Sequence, residues 1–368
     1  MIQGDSVESP FLVRIEKMQQ AVTTPTADIG DYLKVAACTA VMLQSVLGFA
    51  MAAHPTVRQQ WVFGSAYNLV KFTAPAFIFG ILYTTLRQHV RNPTQPKRQY
   101  WRQQWSALGV PTVWWTAVYL GLLPGVQQHG TAQSVGQFLW QAVNGNAAPH
   151  LWYNTMMLQF IGGMPLFWAW SRWVGHDGYR ARLSLGVTAL FYLGWLWWFP
   201  HAPTYLVDRL ALSFLPYAVV GVLWGQFKTG AVALQRRWPL VVLTWLAAYG
   251  WLSAQLVARG RPVRLAAASY YQPSATLYAF AVIGLVSCLA VAQLRRRSAW
   301  LKPMHWLATY AYRAYLGHVF WLVGVWAVTS GLPLGWRVVV SYLVTWLLAF
   351  ITTYGLHVGW HRLKWQGH

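Results

Sequence analysis

The sequence is poor in charge, and poorest in negative charge. Asp and Glu together number seven in 368 residues, against 28 Lys and Arg, and charged residues make up only 10% of the chain. A soluble globular chain carries about 25% charged residues. So little charge cannot coat a water-facing surface of this size, which excludes an ordinary soluble enzyme and a disordered regulator. Cysteine is nearly absent. Cys38 and Cys288 both lie in apolar stretches, so a disulfide scaffold is excluded and no metal-ligand set is offered. The carboxylates are Asp5, Glu8, Glu16, Asp28, Asp31, Asp177 and Asp208, and none falls in the middle of an apolar stretch. An intramembrane carboxylate relay, as used by proton-coupled carriers, therefore has no candidate. Glycoside hydrolysis by paired carboxylates is excluded for the same reason.

What is present is apolar and aromatic: 56% hydrophobic, 16% aromatic, with a mean hydropathy of +0.34. The apolar stretches are continuous over about 20 residues, which predicts membrane-crossing helices rather than the alternating strands of a β-barrel. Ten spans are predicted, at 32–52, 67–86, 106–124, 151–170, 183–199, 210–226, 239–258, 274–293, 305–327 and 337–358. The expected fold is an all-α polytopic membrane protein of about ten helices. One membrane domain covers 32–358, between an N-terminal segment 1–31 and a tail 359–368. The first span follows a long mixed-charge stretch, unlike a cleaved signal peptide, and reads as retained.

A net charge of +21 on a soluble chain would point to nucleic acid. Here the cations fall in small clusters between apolar spans, so the expected surroundings are a lipid bilayer and no nucleic acid. Nineteen cations lie in one set of loops and at both termini, including Arg87, Arg98, Arg102, Arg180, Arg236 and Arg295; six lie in the opposite set. Because Lys and Arg favour cytoplasmic loops, both termini are expected to be cytoplasmic. The group Arg259, Arg261 and Arg264 runs against the rule. It is either a tolerated exception or a site for an anionic outer ligand.

Polar groups within the spans are the functional candidates. Lys34 lies near the inner end of the first span and Gln44 and Ser45 lie deeper; Lys71 sits about one turn inside the outer edge of the second; Arg313, Tyr315 and His318 lie on the ninth. At 1.5 Å per residue, Gln44 is about 18 Å deep, His318 about 20 Å and Arg313 about 12 Å. Gln44 and His318 are thus expected near the midplane, facing one cavity. Lys34 and Arg313 are expected to lack carboxylate partners and to meet an anionic ligand from the cytoplasmic side. Blander roles are open too. Lys34 can snorkel to headgroups, and Gln44 can bond a neighbouring helix.

The ordered elements Lys71-Phe-Thr-Ala-Pro75-Ala-Phe77, Lys97-Arg98-Gln-Tyr100-Trp-Arg102, His150-Leu-Trp152-Tyr153 and Ala311-Tyr312-Arg-Ala-Tyr315-Leu316-Gly-His318 resemble the acyltransferase 3 family of membrane O-acyltransferases. The nearest branch in this resemblance is the intercellular adhesion protein C type, linked to poly-N-acetylglucosamine as an O-succinyltransferase or exporter. The resemblance implies a multi-pass enzyme of the bacterial plasma membrane. Such an enzyme takes an acyl group from cytosolic acyl-CoA, its donor substrate, with no bound cofactor. The acyl group goes to a hydroxyl of a surface glycan or its lipid-linked precursor. Lys34 matches the family's first-span cation, Tyr315, Leu316 and His318 its ninth-span element, and Trp152 and Tyr153 its fourth-span aromatic pair.

The chain departs from the pattern in two places. Eleven residues after the cation, where the family carries a histidine, stands Ser45, preceded by Gln44. The basic loop element is thinned to Arg98 and Arg102, followed by Gln103 and Gln104. Three functions are expected to compete. In acyl transfer, Arg98 and Arg102 hold the CoA phosphates, His318 acts as base and Gln44 donates to the thioester oxygen. The others are glycan export and a catalytically silent partner of a glycosyltransferase.

Overall fold

The computed structural model describes residues 27–366 except 228–229, 261 and 266–268, with side chains as far as residue 359. The cations Arg14, Lys17, Lys228, Arg261, Arg362 and Lys364 therefore lie outside the described residues or side chains. The described residues form helices and connecting turns, without a strand. In chain order the α-helices are α1 Ile29–Ala52, α2 Val57–Leu69, α3 Thr73–Arg91, α4 Lys97–Gln104, α5 Val110–Leu122, α6 Val135–Asn144, α7 Trp152–Gly162 and α8 Met164–Val174. There follow α9 Gly178–Trp198, α10 Leu215–Gln226, α11 Gly230–Arg236, α12 Trp238–Ala258, α13 Pro273–Arg295, α14 Leu301–Val328 and α15 Leu334–Gln366.

Seven segments among the described residues are long and apolar enough to cross a bilayer: 29–52, 57–91, 178–201, 238–258, 273–295, 301–331 and 334–359. The chain is an all-α polytopic membrane protein. The other three expected spans are built from shorter pieces. The third is α4 and α5 joined by a π-helical turn, Trp105–Gly109. The fourth breaks at Gly163 into two helices of 11 residues, where Pro165 removes a helix hydrogen-bond donor. The sixth is α10, at 12 residues about 18 Å long.

Local chemistry sets several boundaries. Asp28 caps α1 through Asp31 N–H. That start, three residues earlier than expected, brings Asp31 into the helix. Thr56 and Gln59 form a capping box that opens α2, a helix that was not expected from the sequence. Residues 70–72 break the register between α2 and α3, and Lys71 lies in this break. Gly145 ends α6 with φ +80°, and a Cβ there would lie 2.7 Å from the Trp152 Cα. Only glycine fits at that point.

The interior is centred on α1, packed between α3, α13, α14 and α15. Three side-chain contacts tie α1 to α14: Asp31 to His305, Cys38 to the Ala311 carbonyl, and Ser45 to His318. The numbers rise together on both helices, so the pair is parallel, and they rise by about seven, or two turns. α5 joins on the other side of α14, where a Cβ at Gly317 would lie 2.5 Å from the Trp115 ring. The missing side chain of Gly317 makes room for that ring. By contrast, α9 buries only Tyr192. Its exposed Leu, Val and Trp side chains suit contact with acyl chains.

Candidate functional site

The parallel register of α1 and α14 sets two polar side chains against each other about two-thirds of the way along each helix. His318 is 0% exposed. Its Nδ1 lies 2.5 Å from the Tyr315 carbonyl oxygen. A carbonyl only accepts, so Nδ1 carries the proton and the lone pair is on Nε2. That lone pair faces Ser45 Oγ at 2.8 Å. Ser45 Oγ also lies 3.2 Å from the Val41 carbonyl. Its single proton goes to Nε2, because otherwise two lone pairs would face each other across 2.8 Å.

A second imidazole stands beside this pair. The His150 ring centroid is 4.6 Å from that of His318. His150 Nε2 lies 3.2 Å from the Leu316 carbonyl, which also accepts from Tyr119 Oη at 2.8 Å. By the same logic Nε2 is the protonated nitrogen of His150. Its Nδ1 is buried without a hydrogen-bond partner. Tyr315 Oη donates to the His150 carbonyl at 2.5 Å, which ties α14 to the segment leading into α7. The two histidines are thus held by α14 carbonyls and by each other's neighbours.

These groups border a cavity of about 550 Å³, within the usual 300–1,000 Å³ range of small-molecule sites. Its wall includes Gln44, Ser45, His150, Trp152, Tyr153 and Tyr315, all expected site residues, together with Phe77, Thr73 and Tyr270. Ser45 is half-buried and forms part of this wall; His318 lies behind it. Gln44 sits in a polar triangle: its Nε2 donates to Tyr270 Oη at 3.2 Å, and Thr73 Oγ1 donates to its Oε1 at 3.1 Å. Thr73 and Tyr270 are 3.0 Å apart. The cavity follows α1 from Val41 to Met51, in the half of the helix away from Lys34.

Lys34, Arg98, Arg102 and Arg313 are not part of this wall. Lys34 pairs with Asp31 at 3.4 Å, and Asp31 also holds His305 Nδ1 at 2.8 Å. This corrects the expectation that Lys34 has no carboxylate partner: the earlier start of α1 places Asp31 one turn before it. Arg313 is half-buried on α14. Arg98 and Arg102 lie exposed on α4. All four carboxylates among the described residues are paired, the others being Asp28 with Arg87, Asp177 with Arg180, and Asp208 with Arg209.

Two further residues shape the site: Lys71, a candidate from the sequence as a polar group within a span, and Arg209, which the sequence did not single out. Lys71 is 2% exposed, with Nζ 4.8 Å from the Tyr270 ring centroid and 5.5 Å from that of Tyr67. Both rings border the cavity. No carboxylate lies within ion-pair distance of Lys71 among the described residues, and Arg259 adds a repelling charge. The break at 70–72 that buries this side chain leaves no periodicity signal. Arg209, read only as a loop cation, is 6% exposed. It bonds the Asn144 carbonyl, Asn146 Oδ1, Gln128 Oε1 and Asp208. It braces the 125–150 connection, which supplies Gln128, Pro149 and His150 to the cavity wall.

Residues 30–356 match the family model described as an acyltransferase domain. The chain belongs to this acyltransferase family. The match covers the whole helical assembly from α1 into α15, so the Ser45–His318 pair and its cavity lie inside the acyltransferase domain. No curated protein and no solved structure matches the chain.

Proposed function

We propose that this membrane acyltransferase moves an acyl group from cytosolic acyl-CoA to a hydroxyl of a surface polysaccharide, or its lipid-linked precursor, at the bacterial plasma membrane. An N-acetylglucosamine polymer is the proposed acceptor. The observation that carries this reading is the His318 Nε2 lone pair, presented through Ser45 at a cavity walled by aromatic rings. A base must lie within hydrogen-bond reach of the proton it removes. Aromatic faces such as Trp152 and Tyr270 suit the apolar faces of sugar rings, and the cavity volume suits one or two sugars with an acyl group.

The orientation follows from the excess of Lys and Arg at the end where α1 begins. Arg98 and Arg102, exposed at that end, take the CoA phosphates by charge-assisted hydrogen bonds. Lys34 marks the start of the acyl path. Ser45 lies eleven residues further along α1, roughly 16 Å toward the opposite face. Gln44 keeps a second amide N–H for the thioester oxygen, an oxyanion-type role. Lys71 and Arg259 lie at the outer part of the site, where they suit the phosphate of a lipid-linked precursor.

The test uses the full-length protein in lipid nanodiscs, supplied with acetyl-, butyryl- or succinyl-CoA and an N-acetylglucosamine oligomer. Thiol release and acylated oligomer are measured together. Acylated oligomer in step with thiol supports the reading. Movement of oligomer across vesicles without any acyl-CoA, and no acylation with any donor, would replace it with export.

A further inference from the structure

We infer that Ser45 is the nucleophile of this acyl transfer and carries the acyl group as an ester between donor and acceptor. The inference rests on the acyl-transfer reading above and goes one step into its chemistry. A covalent route needs a hydroxyl within hydrogen-bond reach of a base, with the base oriented by a third group. The structure holds that arrangement. Ser45 Oγ lies 2.8 Å from His318 Nε2, and His318 Nδ1 lies 2.5 Å from the Tyr315 carbonyl.

Accessibility assigns the roles. His318 is fully buried and is not part of the cavity wall, whereas Ser45 is. The lone pair on Nε2 is already occupied by the Ser45 hydroxyl. A substrate in the cavity therefore meets the serine oxygen first, with the imidazole behind it. The 2.8 Å contact with His318 Nε2 sets the Ser45 rotamer and leaves an Oγ lone pair for the substrate. In the free enzyme the Ser45 hydroxyl occupies His318 Nε2; once Oγ is acylated it no longer donates, and Nε2 is released to take the proton of the acceptor hydroxyl.

A covalent intermediate also answers a geometric problem. Donor and acceptor approach from opposite faces of the membrane and share one cavity of about 550 Å³. Holding the acyl group on Ser45 lets CoA leave before the sugar arrives. In the first half, Ser45 Oγ attacks the thioester carbonyl. The Oγ–C bond forms, the C–S bond breaks, and the Oγ proton passes through His318 Nε2 to the departing thiolate, giving free CoA thiol. In the second half, the sugar hydroxyl attacks the seryl ester. The new O–C bond forms, the Oγ–C bond breaks, and the sugar's proton passes through His318 Nε2 back to Oγ.

The experiment treats nanodisc-embedded full-length protein with radiolabelled acyl-CoA, using whichever of acetyl-, butyryl- and succinyl-CoA supports transfer, without acceptor. Intact mass and peptide mapping should find one acyl group on Ser45, which added oligomer then discharges. Initial rates at varied donor and acceptor should give the parallel double-reciprocal lines of a ping-pong reaction. Ser45→Ala should lose the label and at least about 10³-fold in rate. Ser45→Cys, which keeps a nucleophile of similar size, should take the label as a hydroxylamine-sensitive thioester. Transfer that proceeds with intersecting lines, no bound acyl group and a Ser45→Ala rate within threefold of the parent overturns the inference while leaving acyl transfer intact. No transfer with any donor overturns the acyl-transfer reading itself.

Discussion

Ser45 and His318 are 273 residues apart in sequence and 2.8 Å apart in space. Their contact is the third step of a ladder that begins with Asp31 and His305 and continues with Cys38 and the Ala311 carbonyl. Two parallel helices, stepping together by about seven residues, thus deliver a hydroxyl to an imidazole about two-thirds of the way along each. The register, rather than either helix alone, builds the site.

His318→Gln should lower acyl transfer by about 10²–10⁴-fold, the usual contribution of a general base. Glutamine retains hydrogen bonding to Ser45 and similar volume, so the thermal midpoint should change little. Thiol release from acyl-CoA by the purified variant, beside a melting curve, measures both. Full activity with unchanged stability would remove His318 from the chemistry.

Lys71→Met should leave stability unchanged or raise it, while impairing function. A buried cation without a carboxylate is costly, and an apolar replacement of similar length relieves that cost. If Lys71 holds the phosphate of a lipid-linked acceptor, KM for that acceptor should rise about tenfold with little change in kcat. Lys71→Met that destabilises the protein and leaves KM unchanged would assign the side chain to packing.

Arg98→Gln combined with Arg102→Gln should raise KM for acyl-CoA and leave KM for the acceptor alone. Both side chains are exposed on α4, so folding should be unaffected. Their phosphate contacts should also be salt-sensitive in the parent protein. Equal KM values for CoA in parent and variant would place the donor phosphates elsewhere.

Arg209→Met should loosen the 125–150 connection. It removes bonds to Asn144, Asn146 and Gln128 and strands Asp208. Each buried partner left unsatisfied costs about 1–3 kcal/mol. Arg209→Lys should rescue poorly, because one ammonium cannot replace a planar fork with several partners. Faster proteolysis at this connection, with reduced transfer, is the expected readout.

The helical content, the membrane class and the identity of Gln44, Ser45, His150, Trp152, Tyr153 and Tyr315 as candidate residues were legible in the sequence. Apolar run length and the ordered motifs carry that information. The partner of Ser45 was not legible, because helix periodicity gives a face but no long-range register. Asp31 was assigned to the segment before the first span, and its capping by Asp28 brings it into α1 and beside Lys34. The break that buries Lys71 follows a helix, α2, whose residues read as a loop and the edge of a longer span. Arg209 resembled any loop cation, since three of its four partners, Asn144, Asn146 and Gln128, come from distant positions.

The most direct test of the central claim compares Ser45→Ala, His318→Ala and the double variant in one transfer assay. If the two side chains act as a unit, each single change should cost at least about 10³-fold and the double change no more than the worse single. Losses that multiply across the two sites would contradict it, because the serine and the imidazole would then be acting independently.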